Sequence, residues 1–252
     1  MTLQITCTKI SLNFKVLFFW GFMAPQVYGI EHILYMIITT IIAVVALLLA
    51  KKYLKAEKHQ DIFLKILAGL LFIAIMTNRL SQVFRYETIR WYLIIPDSYC
   101  GMTSLVLSLA VFFGKKDNDA YHFLWLLAIF GGISTTLYPS YVSQDISFFY
   151  IPTISGLLHH SLSATLAVAL LLFNQIDITY KKWYCTLIGF SFYITLGAFM
   201  MSVFNMSDAY HIVEPLLPDT PLTAWVMAPM YAVGYAIILG VIEFFKNKKE
   251  NN

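Results

Sequence analysis

Charged residues are scarce in this chain of 252 residues: together they make up 12% of it, whereas 59% of the residues are hydrophobic. Soluble domains contain about 25% charged residues. This composition excludes a water-soluble globular protein. The charges fall in short clusters between apolar runs and form no continuous basic face of the kind that nucleic-acid binding requires. Nucleic acid is therefore excluded as a partner, and membrane lipids are the expected partners.

Cysteine is also scarce, and the common catalytic motifs are missing. The three cysteines, Cys7, Cys100 and Cys185, are far apart and odd in number. Their spacing therefore predicts neither a disulfide framework nor a Cys-x-x-Cys zinc site. The chain has no HExxH, GxSxG or GxxxxGK[ST] motif and no HxxxxD pair as in soluble-type glycerolipid acyltransferases. The last apolar run has no lysine for a retinal Schiff base. No metal and no other cofactor is implied.

Long apolar runs dominate the rest of the chain. A helix that crosses the hydrocarbon layer needs about 20 mostly apolar residues. We therefore predict an all-α fold, a polytopic seven-helix bundle over residues 32–245 within one integral membrane domain of residues 1–252. Residues 1–31 are expected to form an extracytoplasmic, interfacial segment, and residues 246–252 a tail. The predicted spans are 32–50, 62–83, 92–114, 120–138, 148–173, 183–204 and 224–245.

The distribution of basic residues predicts the orientation, because Lys and Arg in short loops favour the cytoplasmic side. Eleven lysines lie after spans one, three and five and in the tail, whereas four basic residues lie on the other side. The N-terminus is therefore expected outside and the C-terminus in the cytoplasm, as an odd number of spans requires.

Two charged residues lie within the outer parts of neighbouring spans. Arg79 in span two and Asp97 in span three are expected at similar depth, where they could form a neutralising pair. Ionisable residues inside a membrane are costly and are candidates for function. The pair either fixes helix packing or binds a substrate.

Span three also contains a candidate nucleophile. Asp97, Cys100 and Ser104 follow Pro96 at steps of three and four, which places them on one helix face. Pro96 either kinks the span or begins its helical part. A thiol near a helix N-terminus can be stabilised as thiolate, the reactive form. Cys100 is either such a thiol or a packing residue.

Spans four and five supply small residues and histidines. His159 and His160 lie at mid-membrane depth and point about 100° apart, so at most one is expected to face a given site. They either act on a substrate or hydrogen-bond between helices. Gly131 and Gly132 allow close helix approach, and the hydroxyls of Ser134, Thr135 and Thr136 could line a cavity. The connection 205–223 matches no metal-ligand spacing and is expected to be a solvated loop that caps the bundle.

At these residues the chain resembles the YwaF family of bacterial integral membrane proteins, which is grouped with the eukaryotic transmembrane protein 164 family. The resemblance extends from Glu31 to the end of span seven. The segments that carry it are Ile95-Pro96-Asp97-Ser98-Tyr99-Cys100, Gly131-Gly132 with Tyr138-Pro139-Ser140, His160-Ser161, and Ala209-Tyr210 with Asp219-Thr220-Pro221 and Pro229.

The resemblance implies a multi-pass protein of the bacterial plasma membrane and a link to Cys- and His-dependent phospholipid acyltransferases of the eukaryotic branch. Cys100 and His160 match the functional positions of the family. Three positions depart from its pattern: Ser98 replaces a histidine, Ser140 an acidic residue and Ala209 an asparagine.

Two functions follow as hypotheses. In the first, a lipid acyltransferase or transacylase works near the outer leaflet: the Cys100 thiolate attacks an acyl ester, and a histidine takes the thiol proton. The residues assigned to this site are His160 or His159 as base, Ser98, Ser104 or Thr136 as oxyanion donors, and Arg79 and Asp97 as substrate-binding groups. In the second, a non-enzymatic transporter or ligand-binding protein has a polar intramembrane cavity lined by the same charges and histidines. The sequence does not indicate an oligomeric state.

Overall fold

The computed structural model describes residues 28–139, 147–217 and 219–250, and the regular elements in this part of the chain are all helical. This confirms the predicted all-α fold with seven helices. Of the predicted interfacial segment, residues 1–27 lie outside the described residues. The helices are α1 (Ile30–Tyr53), α2 (Glu57–Val83), α3 (Tyr99–Phe113), α4 (Asp119–Leu137), α5 (Ile151–Leu172), α6 (Tyr184–Phe204) and α7 (Ala224–Glu250).

Six of these helices are long and apolar enough to cross a membrane, and α3 is the shorter exception. With 15 residues α3 is about 22 Å long, whereas the hydrocarbon core is about 30 Å thick. The predicted span 92–114 therefore began too early. Pro96 lies three residues before the helix, neither kinking it nor opening its first turn, and the Ser98 side chain caps α3 by accepting a hydrogen bond from the Gly101 N–H.

Helices α2, α3, α4 and α5 form a ring in which each helix packs against the next. Helix α1 packs on α5, α6 packs on α4, and α7 packs on α6. The outer helices α1 and α7 bury few of their residues, 11% of the most apolar window in each, and expose many apolar side chains. Such faces are suited to contact with lipid chains.

A close contact between α4 and α5 in the ring depends on a glycine. A Cβ atom on Gly132 of α4 would lie 2.5 Å from the backbone carbonyl oxygen of His160 on α5. Only a residue without a side chain fits there, as is common where membrane helices pack closely. The predicted role of this glycine in close packing is therefore confirmed.

The lysine-rich connections meet at one end of the bundle, which we call the basic end. Three ion pairs join them: Lys182 to Asp119 at 2.6 Å, Lys116 to Glu57 at 3.8 Å, and Lys246 to Asp177 at 3.0 Å. Helix α7 continues through residues 246–250, which the sequence assigned to a tail.

The opposite end, which we call the loop end, contains the connections 84–98 and 205–223. They are joined by a hydrogen bond from the Tyr210 N–H to the Asp97 carbonyl at 2.9 Å. The predicted orientation places the basic end in the cytoplasm and the loop end outside.

Reporter fusions test this orientation. Fusions after Lys116, after Lys182 and at the C-terminus are expected to report the cytoplasm, because all three sites lie at the basic end. Fusions after Arg90 and after Ser207 are expected to report the outside. Cytoplasmic signals from both of these loop-end sites would contradict the orientation.

Candidate functional site

A cavity of about 840 Å³ opens among the helices at the loop end. Its wall includes side chains from α2 to α7 and from the connection 205–223. Six of the eight residues that the sequence singled out line it together: Arg79, Asp97, Ser98, Cys100, His159 and His160.

Cys100 is the second residue of α3, in its first turn. This is the helix end at which the backbone N–H groups best tolerate a negative charge. A Cβ atom on Gly131 would lie only 2.9 Å from the Cys100 sulfur, so this glycine makes room for the thiol. The Thr135 side chain hydrogen-bonds the same thiol.

His159 and His160 lie nine and ten residues into α5, about 13 Å along the helix axis. Their ring centroids are 4.2 Å apart, and both residues line the cavity. The expectation that at most one of them faces the site was therefore wrong. The cavity covers a wide arc of the α5 surface. Both imidazole rings therefore reach it, although the Cβ atoms of the two residues point about 100° apart.

Gly131 brings the thiol and an imidazole to one point. The His160 ring lies near the backbone carbonyl of Gly131, and the Cys100 sulfur lies beside the Cα atom of the same residue. A neutral imidazole that donates from one ring nitrogen has its other nitrogen available as a proton acceptor. The Cys100 thiol and the His160 imidazole thus both lie near Gly131.

Ser104 and Thr136 lie outside the cavity wall. The Ser104 hydroxyl is buried against Nδ1 of His159 at 3.1 Å, where it orients the ring. The Thr136 hydroxyl bonds the Ser161 hydroxyl of α5 at 3.2 Å. Its neighbour Thr135 lines the cavity instead, because adjacent helical residues point about 100° apart.

Arg79 and Asp97 form the predicted ion pair, with Nη1 of Arg79 2.9 Å from Oδ1 of Asp97. The Arg79 side chain is 12% exposed and that of Asp97 is 35% exposed. A second guanidinium nitrogen, Nη2, donates to the Asn78 side chain at 3.1 Å. The buried Nε of Arg79 has no hydrogen-bond partner among the residues that the structure describes.

The connection 205–223 does more than cap the bundle. Tyr210 is 1% exposed, and its hydroxyl donates to the Pro96 carbonyl at 2.5 Å. Its ring stacks on Tyr193, and both rings contact Tyr99. Burial raises the pKa of Tyr210, which keeps its hydroxyl a neutral donor. The expectation of a solvated loop was therefore wrong at this tyrosine.

Several cavity residues were missed from the sequence, chiefly Asn78, Tyr99 and Tyr210. Asn78 lies next to Arg79 in an otherwise apolar run, a signal that was available. In the part of the chain that the structure describes, no three His, Cys, Asp or Glu residues come close enough to hold a metal ion. Ser140 of the family motif lies outside that part.

A double-mutant cycle tests the ion pair. Arg79→Gln leaves Asp97 without its counter-charge, so we expect a loss of about 1–3 kcal/mol in stability, read from thermal unfolding in detergent. Asp97→Asn is expected to cost a similar amount. The double variant should recover much of either loss, because both charges are gone. Strictly additive losses would show that the two residues do not interact.

Comparison with known proteins supports the grouping suggested by the motifs. The model of the TMEM164 family matches residues 27–245, which is most of the chain. No curated protein and no solved structure gives a match. The matched range contains the cavity and all the residues assigned to it. The chain therefore belongs to the TMEM164 family.

Proposed function

We propose that this protein is a membrane-embedded lipid acyltransferase or transacylase in which Cys100 is the nucleophile and His160 the base. The observation that carries this proposal is the meeting of the Cys100 thiol and the His160 imidazole at Gly131, within a cavity enclosed by membrane helices. The proposed location is a bacterial plasma membrane, with the loop end at the outer leaflet.

The first half of the reaction forms a thioester. His160 accepts the thiol proton while the Cys100 sulfur attacks the carbonyl carbon of a lipid ester. The bond between that carbon and the ester oxygen then breaks. The imidazolium returns its proton to the leaving oxygen, which departs as the alcohol of a lysolipid.

The second half regenerates the enzyme. An acceptor alcohol gives its proton to His160 and attacks the thioester carbonyl. The bond to sulfur breaks, and the proton returns to Cys100. The net change moves one acyl group between two alcohols and needs no oxidant or other co-reactant. Helices that exclude water from the cavity favour transfer to the alcohol over hydrolysis.

Two hydroxyl groups beside the thiol are suited to stabilise the oxyanion. Thr135 hydrogen-bonds Cys100, and Ser98 lines the same cavity. The Ser98 oxygen accepts the Gly101 N–H, which leaves its own hydrogen available to donate. Hydrogen-bond donors fixed in advance at a developing negative charge are often the largest contribution to catalysis.

The charged wall of the cavity is suited to a phospholipid headgroup. Arg79 is held on two sides by Asp97 and Asn78, and its buried Nε–H is among the guanidinium donors that these two residues leave unused. Arginine is well suited to bind phosphate oxygens through such a donor. A phospholipid is therefore the substrate class that we propose.

The second candidate is a transporter or ligand-binding protein without catalysis. It is favoured by the size of the cavity and by the Arg79–Asp97 pair in its wall, since neither feature requires a thiol. Under this alternative the charged pair, and not Cys100, is essential.

Variant lipid profiles separate the two candidates. In bacterial cells that express the chain, Cys100→Ser is expected to abolish any protein-dependent change in phospholipid acyl composition, because a hydroxyl is a far weaker nucleophile beside a neutral imidazole. His160→Gln should reduce the change by about a hundredfold or more, since Gln cannot accept the proton. The measurement is lipid mass spectrometry.

Cys185→Ser is the matched control, because Cys185 is buried on α6 and does not line the cavity. It should keep full activity. Full activity in Cys100→Ser, with loss in Arg79→Gln, would refute the acyl-enzyme proposal in favour of the binding alternative.

A further inference from the structure

A second, smaller cavity of about 280 Å³ lies between α3, α4 and α7, and we call it the side groove. It borders the main cavity at the proposed nucleophile. The residues that line both are Tyr99, Cys100, Leu127, Gly131 and Tyr231. Beyond this shared wall the side groove is lined mainly by apolar side chains, among them Leu126, Phe130 and Ile238.

Beyond the shared wall, the polar side chains of the side groove already have partners, whereas the buried hydroxyls of Tyr99 and Tyr231 in the shared wall have none among the described residues. The Thr103 hydroxyl bonds the Tyr193 hydroxyl at 3.0 Å. The Tyr235 hydroxyl donates to the His122 carbonyl at 2.7 Å and accepts from Trp125 at 3.2 Å. A wall whose polar groups are satisfied internally binds water poorly. Beyond the shared wall the side groove therefore suits a hydrocarbon and not a headgroup.

The direction of the side groove matches the order of groups in a phospholipid. Along α7 its wall extends from Tyr231 to Ile238, about 10 Å, and α7 runs from the loop end toward the basic end. The main cavity, with Arg79, lies nearer the loop end. Headgroup, ester and acyl chain would thus follow one another from the membrane surface inward, with the ester at Cys100.

We infer that the side groove holds the fatty acyl chain of the lipid whose ester is attacked by Cys100, and that it sets which chain lengths are transferred. The inference rests on the proposed function and names the part of the substrate that this site selects. Lipid tails are as apolar as the groove, so entry into it brings little hydrophobic free energy. The side groove therefore affects which acyl chains are transferred more than it affects the overall affinity for the lipid.

Two glycines of α7 provide a matched test. Gly234 lines the side groove, and a Cβ atom there would meet nothing within 4 Å. A larger side chain at this position thus fills the groove without a clash at its first atom. Gly240 has the same free space but is exposed and outside the groove. Leucine at either position also favours the helix over glycine.

The experiment uses the full chain in vesicles of phosphatidylcholine that contain a phosphatidylcholine with a diazirine in one acyl chain. After irradiation, mass spectrometry maps the labelled residues. Labelling is expected at the side groove in the natural chain and in Cys100→Ser. Gly234→Leu should lower it by about tenfold, the lower range of the discrimination that a methylene gives in an apolar pocket. The labelling of Gly234→Ala should lie between these two values, and the labelling of Gly240→Leu should equal that of the natural chain.

The acyl products of the same variants are then compared. Gly234→Leu should shift the transferred groups toward shorter chains, whereas Gly240→Leu should leave them unchanged. Absence of label in the side groove, or equal label in Gly234→Leu and Gly240→Leu, would overturn the inference even if transfer occurs. Labelling that depends on Gly234, with no acyl transfer by any variant, would support the groove as a chain site and refute the proposed catalysis.

Discussion

The site depends on the close contact between α4 and α5 at Gly132. There the α4 backbone lies against the carbonyl of His160, at a distance that admits no side chain. The contact holds His160 against Gly131, the residue beside the Cys100 sulfur. The two successive glycines thus contact different neighbours: Gly132 packs against the α5 backbone, and Gly131 makes room for the Cys100 thiol. Helix packing brings the His160 imidazole and the Cys100 thiol into the same cavity, although the two residues are 60 positions apart in the sequence.

Much of the fold could be predicted because the bilayer restricts the choices. Long apolar runs must become helices where no water can satisfy the backbone, and the clusters of lysine indicate which connections share an end. The exception is α3. Hydropathy alone extended it to residue 92, but Pro96 and the Ser98 cap start the helix at Tyr99. The preceding segment packs instead under Tyr210, a contact between connections that are distant in sequence and that no local pattern reveals.

Site residues of types that are rare in membrane helices could be predicted from the sequence, whereas site residues of common types could not. A cysteine, two adjacent histidines and an arginine are conspicuous in apolar helices, and all of them line the cavity. Hydroxyl groups are frequent in such helices, so the choice between Thr135 and Thr136 depends on a helix rotation that the sequence does not specify. The pair of histidines was also misjudged, because the width of the cavity is a property of the assembled ring.

The central claim is that Cys100 carries an acyl group as a thioester during turnover. It is tested most directly by the intact mass of the protein purified from membranes, before and after neutral hydroxylamine. The account predicts a fraction of the chain heavier by one acyl group, with the added mass on Cys100, removed by hydroxylamine and absent in Cys100→Ser. An adduct that persists in Cys100→Ser, or active protein in which Cys100 is never acylated, would contradict it.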